Sequence, residues 1–437
     1  MRENSKQTAR RVTWKTLPAL LVFILLLAAC GPAATEAPAT EAPMTEAPAT
    51  EAPATEAMTE EPAMELPDTI KIGAVVPLTG RYAAGGNQIK QGYELAVNDI
   101  NAAGGVDIGG TKVPLELIVL DDESDATKTV QHLETQFSEN DVVAYLGGFG
   151  SDLHAAAAGI AEKNKVPYLG VAFAFYGVHQ QGFKYLFSPF PKSPALATST
   201  FDMLDSLDPK PTNIAIFQET TDWGKELGGL WTDEANARGY TITTYEYAPG
   251  TTDFSSIILP AKDAGTDVVL ALPNPPDGLA LAKQLKELDL NAGVYVFIRA
   301  ADPPTFGENL GVDSDGFMLM PGWNRGVDFA GVAEMSQRHM DAYGTPALAV
   351  TGPAYACVQI LADAITRAGS LDRDAIRDAI AATNLDTMVG NVTFNDDGTG
   401  NVINVINQWQ DGKQVLIWPP EQPVVPMIYP AKPWKDR

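Results

Sequence analysis

The stretch 70–106, IKIGAVVPLTGRYAAGGNQIKQGYELAVNDINAAGGV, constrains the fold of this chain more than any other. Ile70, Ile72, Ala74, Val75 and Val76 form a short apolar run rich in β-branched residues, the pattern of a buried strand. Pro77 ends it, since proline brings no N–H to a ladder. Residues 78–86 read as a loop with three glycines, Gly80, Gly85 and Gly86. Ile89, Tyr93, Val97 and Ile100 then recur at helical spacing on one face, and Gly104-Gly105 supplies a left-handed stop. Strand, glycine-bearing loop and helix make the first unit of a doubly wound α/β sheet, where ligands bind beyond the carboxyl ends of the strands. The 77–86 loop is therefore either a wall of a site or a plain connection.

The rhythm continues. Strands are expected at 113–120, 142–146 and 166–171. Helices are expected at 127–137, with Val130, Leu133 and Phe137 inward, and at 152–163. Alternation of this kind implies parallel strands with right-handed crossovers. Residues 183–191 are irregular, and then the pattern restarts. Strands at 214–217, 241–247, 268–272, 294–298 and 317–320 alternate with helices near 194–207, 223–238, 253–264 and 277–289. Helices dominate 328–342, 350–368 and 372–383. The end is β at 391–394, 402–409 and 414–418, and the proline-rich tail 419–437 is expected along the surface. Two similar α/β lobes point to a small-molecule site in the cleft between them.

The first thirty residues are not fold. Arg2, Lys6, Arg10, Arg11 and Lys15 form a basic region ahead of an apolar core at 17–29. That core is too short to span a bilayer stably. It ends in Leu27-Ala28-Ala29-Cys30, where small residues mark a secretory cleavage point. The cysteine directly after them resembles the bacterial lipobox, so residues 1–29 are expected to be a lipoprotein signal peptide and Cys30 the acylated new N-terminus. Residues 30–67 are low in complexity: ATEAP begins at Ala34, Ala39 and Ala49, with variants between and after. Frequent proline and the lack of large apolar side chains forbid a packed core, and repelling glutamates extend the chain. The segment reads as a tether.

Net charge is −25, of which residues 1–30 contribute +4 and residues 31–67 contribute −8, leaving −21 on the body 68–437. That balance argues against nucleic acid and anionic lipid as partners. Cys357 is the only cysteine of the body, so no disulfide forms within it, and its apolar surroundings mark it as a core residue.

In order along the chain, IKIGAVVPLTG, AVNDINAAGGV, LDDESDATKTVQ, the glycine-serine stretch 147–151, TDFSSIILPAKDAGTDVVLA and MVGNVTFNDDGTGN resemble one family. It is the branched-chain amino acid type of periplasmic solute-binding protein, which serves ABC importers. The resemblance covers roughly 68–418. It implies a type I periplasmic-binding fold: α/β, with two Rossmann-like lobes joined by a three-segment hinge. Lobe 1 is expected at 68–190 plus 321–395, and lobe 2 at 191–320 plus 396–437. The implied partners are a small-molecule ligand and the ABC permease and ATPase subunits, with membrane contact through the lipid anchor only, outside the cytoplasm. No cofactor and no metal are implied.

The resemblance also assigns a site. Ser151 contacts the ligand's α-carboxylate, or is a plain N-cap. Ala172 offers a backbone carbonyl, while Ala174 lacks the hydroxyl common in the family. Phe173 and Phe175 are aromatic wall or core. In the 77–86 loop the position over the ligand falls on Gly85, with Tyr82 nearby, and the glycine leaves space. Trp223 takes the place of a stacking aromatic, or packs. Asn274 and Asp277 lie past another lobe 2 strand. Arg299 stands where an ammonium-binding acid is usual, with Asp302 three residues on, and a guanidinium suits a carboxylate; alternatively the two form a surface pair. Together these imply a small organic acid, aromatic acids included, rather than a branched-chain amino acid; if the alignment slips, Asp302 or Asp277 supplies the acid instead.

Catalysis has little in its favour. Walker A, HExxH and G-x-S-x-G motifs are absent, and His132, His154, His179 and His339 form no close pair of ligand spacing. Asp121, Glu123 and Asp125 alternate like a calcium loop, but Ala126 holds the position that needs glycine. The alternative to a transport role is a ligand-sensing receptor of the same fold.

Overall fold

The computed structural model describes residues 66–437. The signal segment 1–29, Cys30 and nearly all of the 30–67 tether lie outside the described residues.

Two twisted sheets are wound the same way. In the first, five parallel strands lie side by side in the order Leu115–Asp121, Ile70–Val76, Ala144–Leu146, Tyr168–Leu169 and Leu186–Phe187. In the second, Thr241–Tyr247, Asn213–Glu219, Val268–Ala271, Val294–Phe297 and Phe317–Leu319 repeat that parallel order. Ile406–Gln410 and Lys413–Trp418 extend its far edge antiparallel. In each lobe the winding reverses between the first and third strands in sequence, and that reversal opens a crevice at their carboxyl ends. The segments leaving those ends are 77–82 and 147–151 in the first lobe, and 220–223 and 272–274 in the second.

The chain passes between the sheets three times, through 188–192, 320–331 and 394–405. After the second passage the helices Val332–Tyr343, Thr351–Ala368 and Arg373–Ala381 return to the first lobe. There Met335, Ile360, Leu361 and Ile376 are buried with Ile89 and Tyr93 of the helix Ala83–Ala102. Cys357 is fully buried in the same core.

Strand alternation explains the second lobe's two cores. Ile214, Ile216, Val268, Leu270, Val294 and Val296 point to one face of the sheet. Ala215, Phe217, Val269, Ala271, Tyr295 and Phe297 point to the other. A parallel sheet covered on both faces needs such unbroken apolar runs, and each large side chain fully buried contributes about 1.5–3 kcal/mol.

Several expectations need correction. The helix begins at Ala83, so Gly85 and Gly86 lie in its first turn rather than in the loop. On the helix Ala126–Ser138, Leu133 is buried and Phe137 packs half-buried against the same core, but Val130 is only half-buried, and Thr129 and Gln136 face inward as well. Gln136 fits because it donates to the carbonyls of Ala74 (3.1 Å) and Ile118 (3.0 Å). It occupies the room above Gly73, where an added Cβ would sit 2.3 Å from its amide oxygen. The tail does not merely lie on the surface: Trp434 is buried against Tyr295 and Phe317, and its indole N–H donates to the Leu290 carbonyl at 2.7 Å. Among the described residues, no helix is long and apolar enough to cross a membrane.

Candidate functional site

The carboxyl-end segments of the two sheets meet around a cavity of about 350 Å3. From the first lobe, Asp121 fixes the entry loop: its carboxylate accepts from Leu78 N–H (2.8 Å), Thr79 N–H (3.2 Å) and the Thr79 hydroxyl (2.8 Å). The loop then presents Arg81 and Tyr82. Tyr82 is buried, and its N–H donates to the Ser124 hydroxyl at 3.1 Å. Its phenol donates to Asp152 at 3.0 Å and accepts from Arg299 Nη1 at 3.3 Å, a contact from one lobe to the other. Arg81 is paired with Asp152 at 2.5 Å.

Ser151 opens the helix Ser151–Asn164, preceded by Gly150 at φ 112°, and no side chain caps that helix start. Uncapped N–H groups at a helix start, with the positive end of the helix dipole, suit an anion. Ser151 lines both the 350 Å3 cavity and a neighbouring void of about 20 Å3.

From the second lobe come Glu219, Trp223, Asn274 and Arg299. Trp223, on the helix Asp222–Arg238, is held by its indole N–H donating to Ser193 Oγ at 3.1 Å, with the Arg299 guanidinium 5.0 Å above the ring. Asn274 caps the helix Pro275–Glu287 by accepting from Asp277 N–H at 3.1 Å and donates to the Asp277 carboxylate at 2.6 Å. Asp277 in turn accepts from Gly250 N–H at 2.7 Å, which commits it to the loop around the cap.

Three of the site expectations change. Arg299 does not offer a free guanidinium. Its Nη2 donates to Glu219 and to the Leu272 carbonyl (2.9 Å), and its Nε donates to the Pro273 carbonyl (3.2 Å). Only the Nη1 end turns toward Tyr82, and the pair with Glu219 cancels the charge that an anionic ligand needs. Burial pushes the Glu219 carboxyl up, while Arg299 beside it pulls it down. Nor does Gly85 leave space for ligand: an added Cβ there would lie 2.5 Å from the Phe149 ring, which already fills that volume. Phe173 is not cleft wall either. It stacks between His154 (4.3 Å) and His179 (5.6 Å), with Lys192 Nζ 3.4 Å over its ring.

Ala172 and Ala174 line the small void with Phe149, Trp223, Arg299 and Asp302. Asp302 is 5 % exposed, and its Oδ1 has no hydrogen-bond partner. Burial pushes its carboxyl up to about 7, and the field of Arg299 draws it only part of the way back. An Arg299–Asp302 surface pair is therefore replaced by a buried carboxylate facing a void. Glu219, Asp152 and Phe149 were not singled out from the sequence. Glu219 ends an apolar strand, IAIFQE, so the carboxyl-end rule could have found it; nothing in the sequence marks Phe149.

A family model described as periplasmic binding protein matches residues 69–413. The chain is 27% identical over 384 residues to a Leu/Ile/Val-binding protein homolog 8 of Brucella abortus (strain 2308), a match covering 82% of this chain and 93% of that protein. Among solved structures it is similar to the leucine binding protein LivK from Thermotoga maritima MSB8, with TM-score 0.73 and 22% identity over 79% of this chain and 97% of that one. A second similar structure is a solute binding protein of an ABC transporter from R. palustris in complex with benzoate. Its TM-score is 0.70 at 17% identity, over 80% of this chain and 95% of that one.

Proposed function

The chain belongs to the periplasmic binding protein family, and from that premise we propose that it captures a small zwitterionic amino acid in the cleft between its lobes and delivers it to an ABC importer. Members of this family are binding proteins rather than enzymes. The observation that carries the ligand class is Asp302: a buried carboxylate with an unpartnered oxygen, lining the same void as Ser151. An ammonium group supplies the missing partner, and a buried charge is tolerated only when so paired. The hydroxyl of Ser151 and the uncapped helix start take the carboxylate, and Trp223 covers the side chain.

The organic-acid reading has less support. Both guanidinium groups at the 350 Å3 cavity are already paired, Arg299 with Glu219 and Arg81 with Asp152. The Brucella relative is named for leucine, isoleucine and valine, which agrees with an aliphatic amino acid.

Cys30 acylation anchors the protein to the outer face of a membrane, and the 30–67 tether sets its reach. Lobe 1 comprises 68–190 plus 321–395, and lobe 2 comprises 191–320 plus 396–437. A thermal-shift screen of amino acids and small carboxylates tests the ligand class. A ligand at a hundred times its dissociation constant stabilises by about 2.7 kcal/mol. Leucine, isoleucine or valine should raise the melting temperature, and a response to benzoate alone would overturn the proposal.

A further inference from the structure

The two lobes also touch through Glu226, which does not line the cleft cavity. It lies on the helix Asp222–Arg238, whose Trp223, Leu227 and Trp231 are buried in a core of the second lobe. Its carboxylate reaches the short helical segment Tyr176–Gln181, whose Val178 is buried in the first lobe with Tyr145 and Tyr168. One oxygen accepts from Tyr176 N–H at 2.8 Å and the other from Gly177 N–H at 2.7 Å. Hydrogen bonds to an ionised acceptor are roughly twice as strong as neutral ones, and both of these cross from one lobe to the other.

The receiving segment is shaped for the contact. An added Cβ at Gly177 would sit 2.7 Å from the Phe175 ring and 3.2 Å from the Glu226 carboxylate, so a glycine lets the acid approach. The Tyr176 phenol donates to the Asp397 carboxylate at 3.1 Å, and His179 Nδ1 donates to the Asp397 carbonyl at 2.8 Å. Asp397 lies in the passage 394–405 between the sheets, so the segment is fixed beside the hinge. The contact is also continuous with both walls of the cleft. Trp223, one turn before Glu226 on its helix, lines the 350 Å3 cavity, and so does Phe175, the residue before Tyr176. Phe175 packs against a core of each lobe.

We propose that Glu226 is a closure latch: a positioning residue that touches no ligand, holds the Trp223 and Phe175 walls together, and sets how long a bound ligand stays. An interaction made only in the closed form biases the lobes toward closure, and it acts on ligand departure rather than entry. The proposal rests on binding by closure of the cleft, whichever ligand the cleft takes.

The test compares the full chain with Glu226→Ala and with Glu226→Gln, which keeps the size of the side chain but turns an amide N–H₂ toward one of the two donors. Small-angle scattering without ligand should give both variants a larger radius of gyration than the parent. Stopped-flow kinetics with leucine should show dissociation about tenfold faster in both, with no loss of association rate. If leucine does not bind the parent, the amino-acid reading falls, and a larger ligand-free radius in both variants still supports the latch. A ligand-free radius equal to the parent's in either variant overturns the latch, even if that variant melts at a lower temperature, which would mark Glu226 as merely structural. Leucine binding with an unchanged dissociation rate, or weakened only through slower association, overturns it as well.

Discussion

Replacing Asp302 by Asn should move stability and affinity in opposite directions. The carboxyl rises from 3.8 to about 7 on folding because burial disfavours its charge. That is roughly three units at about 1.4 kcal/mol each, on the order of 4 kcal/mol. The sign follows from the raised value: below about pH 4 the group is protonated in both states and costs nothing. As pH climbs to about 7 the unfolded chain ionises and the folded one resists, so the ligand-free protein loses stability. Asn is neutral and nearly isosteric. Ligand-free Asp302→Asn should therefore be more stable than the parent at pH 8, by up to about 4 kcal/mol, with the two converging near pH 4. Binding goes the other way, because the ligand's ammonium loses its partner. Truncating one side of a buried charge pair costs about 2–5 kcal/mol, at least about thirtyfold in Kd. For the parent, leucine affinity should fall as pH drops below 7, approaching tenfold per unit; for the variant it should be flat. Thermal melts from pH 4 to 8 and calorimetry at pH 8, 7 and 6 read both effects. A variant that is less stable at pH 8 and binds leucine as the parent does, with unchanged pH dependence, refutes the reasoning.

Trp223→Ala removes a cavity wall and should weaken leucine binding by on the order of 2 kcal/mol, about thirtyfold, with calorimetry as the check; unchanged affinity would return Trp223 to a packing role. Small-angle scattering should show a smaller radius of gyration with saturating ligand than without, as closure of two lobes requires, and an unchanged radius with a tight ligand would count against closure. Cys30→Ala should release the protein from membranes into the soluble fraction; an unmodified mature N-terminus elsewhere, by mass spectrometry, would remove the anchor from the account.

Much of the fold was legible because it rests on local pattern. The run at 70–76, the stripe Ile89–Tyr93–Val97 and the restart after residue 191 are periodicities, and parallel sheets force them. What escaped depends on contacts distant in sequence. Gly85 looked like space, but Phe149, more than sixty residues on, occupies it. The apolar stripe named Val130, Leu133 and Phe137 on the next helix and did not show Gln136, which the carbonyls of Ala74 and Ile118 give an inward partner. Arg299 looked free because Glu219, which neutralises it, lies on another strand of the same sheet. Asp302 stood in the sequence as a neighbour of Arg299 and as an alternative acid, but its burial depends on contacts distant in sequence.

The most direct measurement is calorimetry with a ligand taken apart: leucine, 4-methylpentanoate, which lacks the ammonium, and 3-methylbutylamine, which lacks the carboxylate. A site with Asp302 at one end and Ser151 at the other should bind leucine at least about tenfold more tightly than either half-ligand, since a lost charge-assisted hydrogen bond costs about 1.5–3 kcal/mol. Binding of 4-methylpentanoate or benzoate as tightly as leucine would contradict the zwitterion site and return Arg299 to the role of carboxylate anchor.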